Sequence, residues 1–123
     1  MSKIFISHAD KDAGLAREIA SGLQAAGYST WYFERDVLPG ASYLSQVAGA
    51  IEQSQAVVLL VSSHALDSDQ VSKEVVGAFE RNKPFFPVLV DLTPPQLKER
   101  QPEWRHALGG TTMVCISTEG HQS

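Results

Sequence analysis

The sequence feature that most constrains the fold is an uninterrupted apolar run, Ala56–Val61 (AVVLLV). A strand with one face in water alternates apolar and polar residues, whereas a strand covered on both faces is apolar throughout. The run is far shorter than the roughly 20 residues that a helix needs to cross a bilayer. It therefore predicts a central strand in a parallel sheet with helices on both faces, and no membrane partner is expected.

Strand-like and helix-like segments alternate on either side of this run. Four more segments have the β-branched and aromatic content of strands: Lys3–Ser7, residues 29–33, Phe85–Val90 and residues 112–116. Apolar stripes at helical spacing separate most of them. The alternation predicts an α/β fold, a doubly wound five-stranded parallel sheet in the order 2-1-3-4-5.

The helices between these strands have recognisable ends. Asp10 or Asp12 is expected to cap the first helix, Gly27 to end it, and Ser42 to cap the second. A further short helix is expected around residues 96–100. The stripes expected to be buried are Leu15, Ile19 and Leu23 in the first helix, Leu44, Val47, Ala48 and Ile51 in the second, and Val71, Val75, Ala78 and Phe79 in the third.

Charge and cysteine content limit the partners of the chain. Its 123 residues include 10 Lys and Arg against 14 Asp and Glu, for a formal net charge of −4. Nucleic-acid binding depends on excess positive charge, so no nucleic acid is expected as a partner. The single cysteine, Cys115, excludes an intrachain disulfide and a multi-cysteine zinc site. The H-x-D-x-D run of residues 8–12 lacks a second ligand at metal spacing, so no metal site is predicted.

The length and composition of the chain predict one domain over residues 1–117. The polar residues 118–123 are expected to be a tail or the start of a linker. The first residues enter a strand-like run without a secretory or lipidation signal, so a cytoplasmic location is expected.

A ligand site is expected where the strand order reverses. In a sheet of this order, that point is a crevice beyond the carboxyl ends of the first and third strands. Residues 7–10 and 62–67 follow these two strands, and residues 34–41 are expected to lean over the crevice. The chain lacks the glycine-rich loops that bind phosphates, an aspartate at the phosphoacceptor position and a GxSxG nucleophile motif.

Glu74 is the most informative single residue of the predicted third helix. It lies at the edge of the apolar arc, beside Ala78, where a carboxylate is partly desolvated but reachable from the crevice. Such a carboxylate can stabilise positive charge that develops on a bound sugar. On pattern alone, the simpler interpretation is a boundary residue that pairs with Lys73 or Arg81 in solvent.

Three segments, in the right order, resemble the Toll/interleukin receptor homology (TIR) domain. They are residues 4–12 (IFISHADKD), residues 37–40 (VLPG) followed by Ser42 and Tyr43, and residues 60–63 (LVSS) with the helix of residues 68–74 (SDQVSKE). The family fold is a flavodoxin-like sheet. The family's catalytic motif is Ser, any residue, Trp, Cys, two residues, Glu. Ser68 and Glu74 match it, whereas Gln70 and Val71 replace the Trp and Cys.

The resemblance implies an enzyme of the bacterial, NAD-cleaving branch, with NAD+ as the substrate and no cofactor. Glu74 is then the catalytic residue. The residues expected to bind the substrate are Ser7, His8, Ala9, Asp10, Phe33, Arg35, Leu38, Pro39, Gly40, Tyr43, Ser68 and Gln70. The products would be nicotinamide and ADP-ribose, linear or cyclic, in signalling or defence.

The resemblance also implies self-association through residues 34–40 and the third helix, and a fused or separate sensor domain. Two alternatives remain open. One is a signalling module that assembles without catalysis. The other is a nucleoside deoxyribosyltransferase, an enzyme with a related fold and a catalytic glutamate.

Overall fold

The computed structural model describes residues 3–40 and 42–118 and shows one five-stranded sheet, all parallel, in the order β2-β1-β3-β4-β5. The strands are β1 (Lys3–Ser7), β2 (Ser29–Trp31), β3 (Ala56–Val61), β4 (Phe85–Val90) and β5 (Val114–Ile116). The predicted fold class and strand order are therefore confirmed. The predicted tail lies outside the described residues, apart from Thr118.

Seven helices connect the strands within the described residues: α1 (Ala13–Ala25), α2 (Phe33–Asp36), α3 (Tyr43–Gln53), α4 (Ser63–Leu66), α5 (Asp69–Glu80), α6 (Pro94–Arg100) and α7 (Trp104–Leu108). None of them is long and apolar enough to span a bilayer. Because Phe33 begins α2, the second strand is shorter than predicted and residues 34–41 are not all loop. The fifth strand is also shorter than predicted, and α7 was not predicted.

The apolar run occupies the centre of the sheet, as predicted. All six residues of β3 are buried, with β1 on one side and β4 on the other. Two hydrophobic clusters cover the two faces of the sheet. One contains residues of α3, α5 and α7, and the other is built against α1 by Ala16 and Ala20.

Local signals set most helix ends. The Ser42 and Ser68 hydroxyls accept hydrogen bonds from the backbone N–H groups of Ser45 and Val71, which confirms the Ser42 cap. Gly27 follows the last turn of α1 with φ of 100°, a conformation that favours glycine. The predicted aspartate cap is wrong, because the Asp12 side chain makes no capping bond and accepts one from the Ser62 hydroxyl.

Two residues of the predicted buried stripes are exposed. Phe79 on α5 is 49% exposed and Leu44 on α3 is 66% exposed. On α5, where successive residues turn by about 100°, the buried arc is rotated towards Glu74 and away from Phe79. On α3 the buried arc is centred on Val47, which leaves Leu44 beside α5 rather than under the sheet.

One glycine within α1 and one just after it provide a matched test of the glycine conformation that ends the helix. We expect Gly27→Ala to lower the free energy of unfolding by about 1 kcal/mol, because a Cβ is strained at positive φ. Gly22→Ala should raise it by about 0.5–1 kcal/mol, since Gly22 is exposed within the helix and its added Cβ meets no atom within 4 Å. Urea unfolding of both variants measures this, and shifts of the same sign would contradict it.

Candidate active site

Glu74 is buried in the second turn of α5, only 6% exposed. The Ser7 hydroxyl, at the end of β1, donates a hydrogen bond of 2.6 Å to Glu74 Oε1. Gln70 Nε2, one turn earlier on α5, donates to Glu74 Oε2 at 3.1 Å. Pairing with Lys73 or Arg81 in solvent is therefore wrong, and Arg81 instead forms an ion pair with Glu52 at 3.1 Å.

Burial dominates the electrostatics of this carboxyl. It raises the pKa of Glu74 above its ordinary value, because the charged form loses its hydration. The hydrogen bonds from Ser7 and Gln70 and the nearby His8 oppose the rise in this pKa, whereas the charge of Glu34 adds to it. Glu74 is thus a carboxylate whose charge is stabilised by few groups and is available to a ligand.

Glu74 lines a cavity of about 440 Å³ between α3 and α5. The α3 residues that line it are largely apolar, whereas most of those from α5 are polar or charged. The lining residues are Tyr43, Leu44, Val47, Ala48, Ile51, Asp69, Gln70, Lys73, Glu74, Gly77 and Arg81. An apolar cleft with a few convergent polar groups and a perturbed carboxyl is the usual form of a small-molecule site.

Tyr43, the first residue of α3, brings a phenol to the same cavity. Its hydroxyl is buried and has no hydrogen-bond partner among the described residues. Burial raises the pKa of Tyr43 to about 12, and the charges of Glu74, Asp10 and Glu34 add to the rise. The Phe33 ring packs edge-on against the Tyr43 ring, with centroids 5.1 Å apart. A buried donor without an acceptor lowers the free energy of unfolding by about 1–3 kcal/mol. Such a group in a folded protein therefore calls for an explanation.

His8 connects the end of β1 to α2. Its Nε2 lies 2.7 Å from Glu34 Oε1, and its Nδ1 lies 3.2 Å from the carbonyl oxygen of Ile6. A carbonyl oxygen and an ionised carboxylate can only accept hydrogen bonds. Both contacts are therefore hydrogen bonds at the same time only when both ring nitrogens carry protons. The pair holds Glu34 near the carboxyl end of the sheet.

The loop after α2 is fixed by one side chain of α3. Gln46 Oε1 accepts a hydrogen bond from the Leu38 N–H at 2.7 Å, and Gln46 Nε2 donates to the Leu38 carbonyl at 2.9 Å. The Leu38 side chain remains 66% exposed, and Gly40 has φ of 85°. The loop is therefore held at its backbone while its apolar side chain faces solvent.

The structure brings together only part of the predicted site. Tyr43, Gln70 and Glu74 line one cavity, Ser7 joins them through its bond to Glu74, and Phe33 joins them through Tyr43. His8 and Asp10 lie near enough to act electrostatically on Glu74 and Tyr43, respectively.

The other predicted substrate-binding residues lie elsewhere. Arg35 lines a separate cavity beside α1, where it bonds to Asp36 and the Thr30 carbonyl and lies over the Tyr32 ring. Ala9 packs in the core, and the Ser68 hydroxyl caps α5. Leu38, Pro39 and Gly40 form the exposed loop.

The cavity also lies beside the predicted crevice rather than in it. The Ser62 hydroxyl, after β3, donates to Asp12, two residues beyond the predicted segment 7–10, and so holds the chain after β1 to the chain after β3. The accessible space lies instead on the α3–α5 side of the sheet. The apolar α3 residues, the α5 residues Asp69, Lys73 and Gly77, and Arg81 directly after α5 were missed as lining residues. A helical projection around Glu74 would have found those of α5, which lie within two turns of it.

A larger cavity, of about 530 Å³, lies between α6, α7 and the segment before β5. The described residues that line it include no carboxylate, so it offers no counterpart to Glu74. Within residues 3–40 and 42–118, no three His, Cys, Asp or Glu side chains are grouped as metal ligands.

Comparison with known proteins shows the same family over nearly the whole chain. The model of the TIR domain family matches residues 4–117. The chain is 34% identical over 105 residues to a stimulator of interferon genes protein of Magallana gigas, covering 76% of this chain and 25% of that protein. It is 32% identical over 78 residues to the NAD(+) hydrolase PdTIR of Paracoccus denitrificans, covering 63% of this chain and 26% of that protein.

A solved structure agrees with these matches. A metazoan TIR-STING receptor from C. gigas superposes with a TM-score of 0.70 at 28% identity, covering 93% of this chain and 34% of that one. The chain thus spans about a quarter to a third of these relatives.

The raised pKa of Glu74 predicts a pH-dependent cost to stability. The folded state holds the proton to higher pH than the unfolded chain does, so stability is full below the unfolded pKa and falls as pH rises through the folded pKa. We expect Glu74→Gln to raise the melting temperature by a few degrees at neutral pH and by less in acid. Calorimetry across pH measures this, with the exposed Glu80→Gln on the same helix as the control. An equal or lower melting temperature for Glu74→Gln at neutral pH would contradict it.

Proposed function

This chain belongs to the TIR domain family, and we propose that it is an NAD+ glycohydrolase with Glu74 as its catalytic carboxylate. The reaction breaks the bond between nicotinamide and ribose, giving nicotinamide and ADP-ribose in linear or cyclic form. The observation that carries this proposal is a buried carboxylate of raised pKa at the wall of a cavity of about 440 Å³.

The chemistry needs a negative charge more than it needs a proton donor. The electron pair of the C1′–N bond passes to the pyridinium nitrogen, which leaves as neutral nicotinamide. Positive charge then develops on the ribose, where an ionised carboxylate stabilises it. Water attacks C1′ and releases a proton, or an adenine nitrogen attacks and closes the ring.

The surroundings of Glu74 suit this task. Ser7 and Gln70 each donate to one carboxylate oxygen, which fixes the orientation of the group without neutralising it. The charges of Asp10 and Glu34 act on Tyr43 in the same region, so negative groups lie near this end of the cavity, which Lys73 and Arg81 also line as cations. The relative named as an NAD(+) hydrolase gives further support, at 32% identity over 78 residues.

A second candidate function is a signalling module that assembles without catalysis. Several exposed apolar side chains on the elements concerned favour it: Leu38 on the loop, Leu44 on α3, and Val76 and Phe79 on α5. Residues 34–40 and α5 would then contact further copies, with a fused or separate sensor domain controlling assembly. The two functions are compatible if assembly completes the active site.

NAD+ consumption by purified protein over a range of protein concentrations tests the proposal. We expect wild type to release nicotinamide, with specific activity rising as the protein self-associates. Glu74→Ala should lower the rate by about 100-fold or more, because it removes the charge that stabilises the transition state.

The matched control for this assay is Glu18→Ala, which removes an exposed carboxylate of α1, outside the proposed assembly surface, and should keep the wild-type rate. Equal rates for wild type and Glu74→Ala would refute the proposal. Assembly without nicotinamide release at any concentration would leave the signalling module as the function.

A further inference from the structure

The phenol of Tyr43 is a hydrogen-bond donor that the protein itself leaves unused. Its hydroxyl is buried and has no partner among the described residues, and Tyr43 is one of the residues that line the cavity of Glu74. Buried hydroxyls are nearly always satisfied by protein, water or ligand. An unsatisfied donor on a residue that lines a cavity is therefore a candidate contact for an acceptor that arrives with a ligand.

The groups around Tyr43 do not supply that acceptor. Glu74 acts on Tyr43 through its charge and accepts no hydrogen bond from it. Asp10 and Glu34 act on Tyr43 through charge without a hydrogen bond to it, and Glu34 is paired with His8. Because the pKa of Tyr43 is about 12, the phenol keeps its proton throughout the physiological range.

The position of this donor is fixed. Tyr43 opens α3, which is capped by Ser42, and the Phe33 ring packs edge-on against its ring at 5.1 Å. The donor and the Glu74 acceptor are thus presented by two different helices, α3 and α5, across one cavity. A ligand group that both donates and accepts would satisfy both of them.

We propose that Tyr43 is a specificity-determining residue that donates a hydrogen bond to the 2-hydroxyl of the ribose held by Glu74. A sugar hydroxyl can donate a hydrogen bond to the carboxylate and accept one from the phenol, so one ligand group satisfies both residues. With a 2-deoxyribose the phenol stays buried and unpaired, and the site rejects that sugar. This inference rests on the proposed function, and it separates a riboside-cleaving enzyme from a deoxyribosyltransferase.

Equilibrium binding tests the inference without turnover. The ligands are ADP-ribose and the analogue in which the reacting ribose is 2-deoxyribose, titrated by calorimetry into wild type, Tyr43→Phe and Tyr28→Phe. Tyr28 is a partly exposed tyrosine in a different cavity, so its variant controls for the loss of a phenol elsewhere.

We expect wild type and Tyr28→Phe to bind ADP-ribose about tenfold more tightly than the analogue, the effect of one hydrogen bond. Tyr43→Phe should bind the two ligands within about twofold of each other. If Tyr43→Phe keeps the wild-type discrimination, or if wild type binds neither ligand at millimolar concentration, the inference is overturned.

The outcome is separable from that of the proposed function. Discrimination that depends on Tyr43 in a protein that never cleaves NAD+ would support a ribose site and refute the glycohydrolase. NAD+ cleavage that depends on Glu74, with discrimination unaffected by Tyr43→Phe, would support the enzyme and refute the role of Tyr43.

Discussion

The hydrogen bond between Ser7 and Glu74 joins the end of β1 to α5 and sets the character of the site. Removing a carboxylate from water is costly, and two donors offset only part of that cost, so the pKa of Glu74 stays raised. In the proposed reaction, the carboxylate acts as a charge because the protein does not neutralise it. The fold tolerates the cost because β3, buried along its whole length, and the capped α5 hold the two partners in place.

The same region contains further polar groups that the fold leaves incompletely compensated. The buried Tyr43 hydroxyl has no partner among residues 3–40 and 42–118, and Asp10 and Glu34 add negative charge around it. Buried polar groups without partners destabilise the fold and are concentrated at functional sites, where a bound ligand can provide the missing partner. In the proposed reaction, the negative groups would act on the cationic nicotinamide ring and on the positive charge that develops on the ribose. The phenol would donate a hydrogen bond to a sugar hydroxyl.

The sheet was predictable from sequence because its signals are local. The β3 run, the Gly27 terminus and the Ser42 cap each depend on a few neighbouring residues. The site was only partly predictable because its contacts are not local, since Ser7 and Glu74 are 67 residues apart. Periodicity does not encode the rotation of α5, which buries Glu74 and exposes Phe79 because of how the helix packs. Nor does it encode the hydrogen bond from Ser62 to Asp12, which depends on the packing of distant segments.

Glu74 is an ionisable group held out of water beside a cavity. Carbon-13 NMR of protein labelled at the glutamate carboxyl carbons, with Glu74 assigned by its Gln variant, follows its titration directly. We expect Glu74 to titrate at a higher pH than exposed glutamates, for which the ordinary pKa is about 4.3, and its signal to shift when ADP-ribose is added. A Glu74 signal that titrates with the exposed glutamates and does not respond to ADP-ribose would contradict it.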